Sequence, residues 1–328
     1  MTARLLLILV SLIALLLLVS LATGADGFDP ATVAGAITGT DPAAVIIVGE
    51  LRLPRTLAAL VVGFALGLSG AALQGLTRNP LAEPGVLGVS ACATLGATLM
   101  LYFGIASASP LGVAAGAIGG ALLATALLAA FAQRITGVAT LILVGVGLSS
   151  FAGALMALLL NFAPNPFSLS DLVNWTLGTV ANRSLADLAV AVPPILAGSA
   201  LILGARRSLT LLAIGDLAAV AHGLNHRKTR LLVISGTGLA IGAAVALAGA
   251  VGFVGIVAPH LVRPWVRHDP GRALLPAGLA GGAMLMLADL LIRLLPTATE
   301  LRLGVVAALA GAPLFMFIAW RRGARADG

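Results

Sequence analysis

Charge is scarce in this sequence. Of its 328 residues only 9% are Asp, Glu, Lys or Arg, against about 25% in soluble domains. So few charges cannot cover the surface of a soluble protein of this size. Cysteine is nearly absent as well. Cys92 stands alone, which excludes a disulfide scaffold, and its place near the start of an apolar run makes it a packing residue. Lysine is reduced to Lys228, which follows His226-Arg227 with no glycine cradle. A Gly-x-x-x-x-Gly-Lys-Ser/Thr loop is missing, so this chain cannot split ATP by that route. The four histidines are His222, His226, His260 and His268. They form neither His-Glu-x-x-His nor a Cys/His cluster, so no metal site and no catalytic set follow.

What is present is apolar. Hydrophobic residues make up 60% of the chain and the mean hydropathy is +1.10. This excess excludes disorder and reads as an all-α, polytopic integral membrane protein. The net charge of +7 and pI near 11.3 belong to arginines lining cytoplasmic loops, not to a nucleic-acid surface. Spans of about 20 apolar residues are predicted over 5–22, 53–76, 86–104, 111–133, 138–162, 186–204, 231–250, 251–266, 273–296 and 303–320. The eighth is short and contains Pro259. An even number places both termini on one side. With the termini inside, 14 Lys and Arg face the cytoplasm, and 5 (Arg52, Arg55, Arg183, Arg293 and Arg302) face out. That bias orients the chain in a bacterial cytoplasmic (inner) membrane with cytoplasmic termini. Residues 1–24 also have the make-up of a cleavable leader; an uncleaved first helix keeps the count even and is the expectation.

Residues 1–328 read as one transmembrane domain, with a cytoplasmic loop at 205–230 and outer segments at 23–52 and 163–185. Pro164-Asn165-Pro166 opens the second outer segment, and residues 171–179 predict a short interfacial helix anchored by Trp175. Asn182-Arg183-Ser184 matches a glycosylation acceptor, a frequent chance match. Gly63/Gly67, Gly112/Gly116/Gly120 and Gly278/Gly282 stand four residues apart, which predicts close helix packing inside one subunit. A shift of 179 residues aligns Gly63 with Gly242, Gly70 with Gly249 and Pro80 with Pro259, as an inverted repeat would.

Charges inside spans are few. Asp289 lies in the ninth, and Arg293 is four residues on, a spacing for a structural pair rather than a proton relay. Without a chain of buried acids, the alternative of an ion-coupled secondary transporter acting without an ATPase partner is disfavoured. An intramembrane enzyme lacks a nucleophile–base set.

Three features carry information. Arg52-Leu53-Pro54-Arg55 opens the second span from outside, against the charge bias. Pro54 suits a first helical turn, and two arginines three apart can point the same way. They are either snorkelling anchors or docking points for a partner's carboxylates. Next, Arg78-Asn79-Pro80-Leu81-Ala82-Glu83-Pro84-Gly85 ends that span, and a helix is expected to restart near Val86. This stretch is either a plain inner turn or broken backbone beside a cavity. Third, in the loop 205–230, Asp216 can cap a short helix that Gly223 ends. Such a helix offers a surface to a soluble partner, or lies on the membrane without one.

In this order the three features resemble the FecCD-type permease subunits of ATP-binding-cassette importers for iron-siderophores, haem and cobalamin. The likeness covers essentially the whole chain. It is carried by Arg52-Leu53-Pro54-Arg55-Thr56-Leu57, Gly70-Ala71, Gln74 and Asn79-Pro80-Leu81-Ala82-Glu83-Pro84-Gly85-Val86-Leu87-Gly88. Gly252-Phe253-Val254-Gly255-Ile256-Val257-Ala258-Pro259-His260, Glu300-Leu301-Arg302-Leu303-Gly304 and Gly311-Ala312-Pro313 extend it. The resemblance implies a type II importer fold of ten helices per subunit, working as a homodimer by alternating access in the bilayer. It implies two cytoplasmic ATPase subunits, which carry the ATP and Mg, and an extracytoplasmic substrate-binding protein; this chain binds no cofactor. Arg52, Arg55 and Arg293 then fall where acidic residues of the binding protein dock. Ile214, Gly215, Asp216, Ala219, His222 and Gly223 fall on the helix that couples to the ATPase, with His222 where a leucine is usual. Asn79, Pro80, Glu83, Pro84, Gly85 and Pro259 belong to the pathway or its structural motif. The cargo implied is a metal chelate, iron-siderophore first, then haem or cobalamin.

Overall fold

The computed structural model describes residues 2–24, 27–105, 111–134, 138–163, 165–295 and 300–326. Pro164 and Pro296, each at an end of a predicted segment, lie outside the described residues. The chain opens with α1 (Thr2–Ala22) and a two-strand ribbon, Thr23–Gly24 against Gly27–Phe28. The outer segment then folds as α2 (Pro30–Thr38) and α3 (Pro42–Ile46). Both start alike. Asp29 and Asp41 accept backbone N–H bonds as caps, and the proline that follows each has its φ preset for a first turn. A π-helical turn, Ile47–Arg52, runs without a break into α4 (Leu53–Thr77).

The remaining helices are α5 (Val89–Tyr102), α6 (Gly112–Arg134), α7 (Val138–Asn161), α8 (Pro166–Thr176), α9 (Leu185–Gly204), α10 (Arg206–Leu212), α11 (Asp216–Ala221), α12 (His226–Ala248), α13 (Val254–Val262), α14 (Pro270–Leu294) and α15 (Leu303–Ala326). A helix therefore stands at each predicted span. Among the described residues, seven helical stretches are long and apolar enough to cross a membrane, while α5 and the apolar part of α15 are shorter. The eighth is reduced to the nine residues of α13 and a 3-10 turn at Arg263–Val266. The cause lies at its start. Gly249 (φ 70°) and Phe253 (φ 66°) turn the chain into left-handed backbone, so the helix begins only at Val254.

The core is built on α4, which packs most extensively against α14. Gly63 faces the carbonyl of Gly281, and Gly67 that of Ala277, each closer than a Cβ could sit. On α5 and α6, Gly96, Gly116 and Gly120 meet the facing backbone in the same way. Small residues thus let backbones touch within one chain, as their spacing predicts. Outward positions are apolar instead. Leu7, Leu18 and Leu143 are 68%, 64% and 68% exposed, a surface suited to lipid rather than water. Trp175 lies in the segment that follows α7. It is partly buried against the core, and Thr179 N–H bonds Ala248 O (2.7 Å), which ties its segment to the end of α12.

Candidate functional site

At one end of the bundle the start of α4, the end of α14 and the turn before α9 enclose a cavity of about 800 Å³. Arg52, Arg55, Arg183 and Arg293 line it with Glu50 and Glu300. Beneath them lies Asp289, only 1% exposed. The Arg55 Nε–H donates to Asp289 Oδ1 (2.8 Å), and another Arg55 nitrogen pairs with Glu300. Arg293, one turn beyond Asp289 on α14, pairs with the other oxygen, as the four-residue spacing predicts. It also donates to Ser20 O (3.2 Å) and Thr56 Oγ1 (3.3 Å), so α1, α4 and α14 are joined at one point. The Arg55 and Arg293 side chains are 16% and 6% exposed. The outward pair read from Arg52 and Arg55 is therefore divided: Arg55 is held inward by Asp289, which a span 234 positions along the chain supplies. Arg52 bonds Leu21 O (2.8 Å) and lies against Gly24. Burial pushes the Arg183 guanidinium down from its ordinary value, and Asp187 pulls the other way.

Midway along the fold, the two signature stretches meet. The α4 helix ends where Arg78 adopts left-handed backbone (φ 49°), and α5 begins at Val89, not Val86, after Gly88 (φ 78°). Asn79 Oδ1 accepts from Leu81 N–H (2.9 Å), so the Asn-Pro pair is a closed turn. Gln74 Nε2 donates to Gly255 O (3.1 Å), and its Oε1 accepts from Arg263 (2.6 Å). Glu83 accepts from the backbone N–H of Phe253, capping α13 from another part of the chain. Pro84 and Pro259 are buried. Glu83, Pro84 and Gly85 line a second cavity of about 340 Å³ with Ser90, Thr94 and Ser149. The broken backbone is exposed at Arg78, partly buried beyond it, and borders a cavity at Glu83, Pro84 and Gly85.

At the opposite end stands α11. Asp216 is its first residue, not its cap; the cap position is Gly215 (φ 98°), which has no side chain to donate or accept. The Asp216 carboxylate instead pairs with Arg78 and lies 3.9 Å from His226 Nε2. Gly223 (φ 85°) ends the helix as predicted, with Leu224 N–H returning to Ala219 O (3.0 Å). Ala219 is buried, and the His222 Nδ1 lies 2.8 Å from Ala218 O. Ile214, Leu217 and Val220 stand 56%, 91% and 54% exposed. Leu217 was not singled out by sequence; its signal was an apolar residue on a short helix in a basic loop.

Residues 12–321 match the FecCD transport family. The chain is 38% identical over 323 residues to the vitamin B12 import system permease protein BtuC of Escherichia coli O157:H7 (strain EC4115 / EHEC), covering 98% of this chain and 96% of that one. It is 41% identical over 281 residues to the protein of the same name from Klebsiella pneumoniae subsp. pneumoniae, with 84% and 83% covered. A solved structure of a metal-chelate type ABC transporter, in an inward-facing conformation, shares the fold at a TM-score of 0.87 and 31% identity, over 97% of this chain and 99% of that one. Family match, relatives and fold agree over nearly the full length, and the chain belongs to the FecCD transport family.

Proposed function

We propose that this chain is the membrane-spanning half of an ATP-driven importer that moves a metal chelate inward by alternating access, as a homodimer of ten-helix subunits. The observation that carries the reading is the family match over residues 12–321 in a chain without a phosphate-cradling loop. ATP hydrolysis then belongs to two partner ATPases, which meet α11 through Ile214 to Gly223. The exposed Ile214, Leu217 and Val220 support such a contact. Orientation follows the arginine bias, with both termini and α11 in the cytoplasm. The arginine-lined cavity then faces outward, toward a substrate-binding protein whose acidic residues dock on Arg52, Arg55 and Arg293. The second cavity, with Glu83, Pro84 and Gly85 in its wall, belongs to the pathway.

For cargo, the relatives' names favour cobalamin over the iron-siderophore that the resemblance ranks first. The test is uptake into proteoliposomes holding this chain, its ATPase and its binding protein. Labelled cobalamin, ferric siderophore and haem are each offered with and without ATP. Uptake of cobalamin alone supports the cargo; uptake of none of them with ATP would sink the importer reading.

A further inference from the structure

The side chains around the cavity of about 340 Å³ offer hydrogen-bond acceptors and hardly any donors. Among the described residues, Glu83 is the only titratable side chain in its wall, and no side chain there carries a positive charge. Glu83 is partly buried, and its carboxylate accepts from the Phe253 N–H. A carboxylate has about four acceptor sites, so most of them stay open. Asp289 is met by two guanidinium groups; Glu83 is met by one backbone N–H. Burial pushes the Glu83 carboxyl up to about 7, and the Phe253 bond pulls the other way. The hydroxyls lean the same way. Thr94 donates to Ser90 O (2.9 Å), Ser149 to Gly85 O (3.0 Å) and Thr176 to Val173 O (2.8 Å). Their hydrogens are committed to backbone carbonyls, and what they keep is lone pairs. Only the Ser90 hydroxyl is left as a side-chain donor among the described residues. The other lining residues are apolar or glycine.

We propose that Glu83, with the oxygens of Thr94 and Ser149, is the selectivity element of this cavity: it receives N–H donors of a passing metal chelate and disfavours chelates that present carboxylates. The inference rests on the reading of the cavity as part of the pathway, and it names the chemistry of what passes. Charge decides the sign. An N–H group gains a charged acceptor, and such bonds are roughly twice as strong as neutral ones. A carboxylate on the cargo meets Glu83 as a like charge, with no cationic side chain in the wall to separate them. Cobalamin, whose rim carries primary carboxamides, meets this requirement. Haem, with its two propionates, does not.

The experiment uses the full chain in proteoliposomes with its ATPase and binding protein, at a pH of about 8 so that Glu83 is mostly ionised. Uptake of cyanocobalamin is compared with uptake of its monocarboxylic acid, in which one carboxamide has been hydrolysed. The wild type should favour the amide. Glu83→Gln keeps the size and the bond to Phe253 but adds an N–H of its own, and should lower that preference about fivefold or more. The binding protein is the same in both cases, so its own preference cancels from the comparison. Thr94→Val removes one acceptor, leaves Glu83 in place and should lower the preference about twofold; it serves if Glu83→Gln does not fold. A preference unchanged by these substitutions would overturn the proposal and leave the pathway standing. Wild-type uptake of haem in preference to cobalamin would overturn it as well. The pathway itself is tested apart. Gly153 lines the same cavity with open space where a Cβ would stand. In a chain carrying Cys92→Ala, Gly153→Cys is labelled with a bulky methanethiosulfonate reagent. Blocked uptake would support the pathway, and full labelling with normal uptake would remove that reading and the proposal with it.

Discussion

Asp289 carries two guanidinium groups in a nearly dry setting. A carboxylate of 1% exposure is stable there only because both of its oxygens are paired. Removing it leaves Arg55 and Arg293 facing each other with one acid, Glu300, between the pair and solvent. Asp289→Asn should destabilise the chain by about 3–5 kcal/mol, read as a lower detergent-melting temperature and lower membrane yield. A melting point equal to wild type would show that the cluster is solvated. The same geometry decides which arginine tests docking. Arg55→Glu puts a second acid against Asp289, so lost binding there mixes misfolding with lost contact. Arg52 makes no ion pair within the described residues. Arg52→Glu should weaken binding-protein association and its salt dependence, with insertion unchanged and melting lowered only by the lost bond to Leu21 O. The readout is a titration at two salt concentrations.

At the scale of elements, close backbone approach holds the bundle, and one short helix keeps its apolar side exposed. Between α4 and α14, Gly67 sits against Ala277 O with no room for a Cβ. Lipid supplies no hydrophobic drive to hold two helices together, so the contact depends on this fit. Gly67→Val must push one backbone away, and overpacking costs about 1–3 kcal/mol or more. A loss of that size should appear as a lower unfolding midpoint, whereas an unchanged midpoint would mean the helices separate freely. The opposite case is α11. Leu217 is 91% exposed, so Leu217→Asp should change stability by no more than about 0.5 kcal/mol. If α11 is the ATPase contact, the substitution should abolish co-purification of the ATPase. Retained ATPase with full transport would make α11 a membrane-surface helix. The exposed Arg78–Asp216 pair contributes little to stability, since such pairs are worth about 0–1 kcal/mol; it ties the start of α11 to the end of α4.

Across the whole molecule, what the sequence made legible was local and periodic. Apolar runs located the helices, and the four-residue step from Asp289 to Arg293 foretold their pair. What it hid was distant. Arg55 meets Asp289 across 234 positions and Glu300 across 245, and no spacing rule reaches so far. Glu83 could be placed in a motif, but its bond to Phe253 required the fold. Those hidden contacts bear on how transport is driven. A proton- or sodium-coupled carrier needs buried acids that gain and lose a cation during the cycle. Here Asp289 is neutralised by two arginines, and Glu83 is engaged at the start of α13. Asp289 is not poised for that exchange. The chain also lacks a Gly-x-x-x-x-Gly-Lys-Ser/Thr loop, so it cannot split ATP by that route. Purified alone in proteoliposomes, it should neither hydrolyse ATP nor take up chelate when a proton or sodium gradient is imposed. Adding the ATPase and the binding protein should bring uptake that requires ATP and is unchanged when the gradient is collapsed by an ionophore. Gradient-driven uptake in the absence of the ATPase would restore the ion-coupled alternative and make Asp289 or Glu83 the first site to probe.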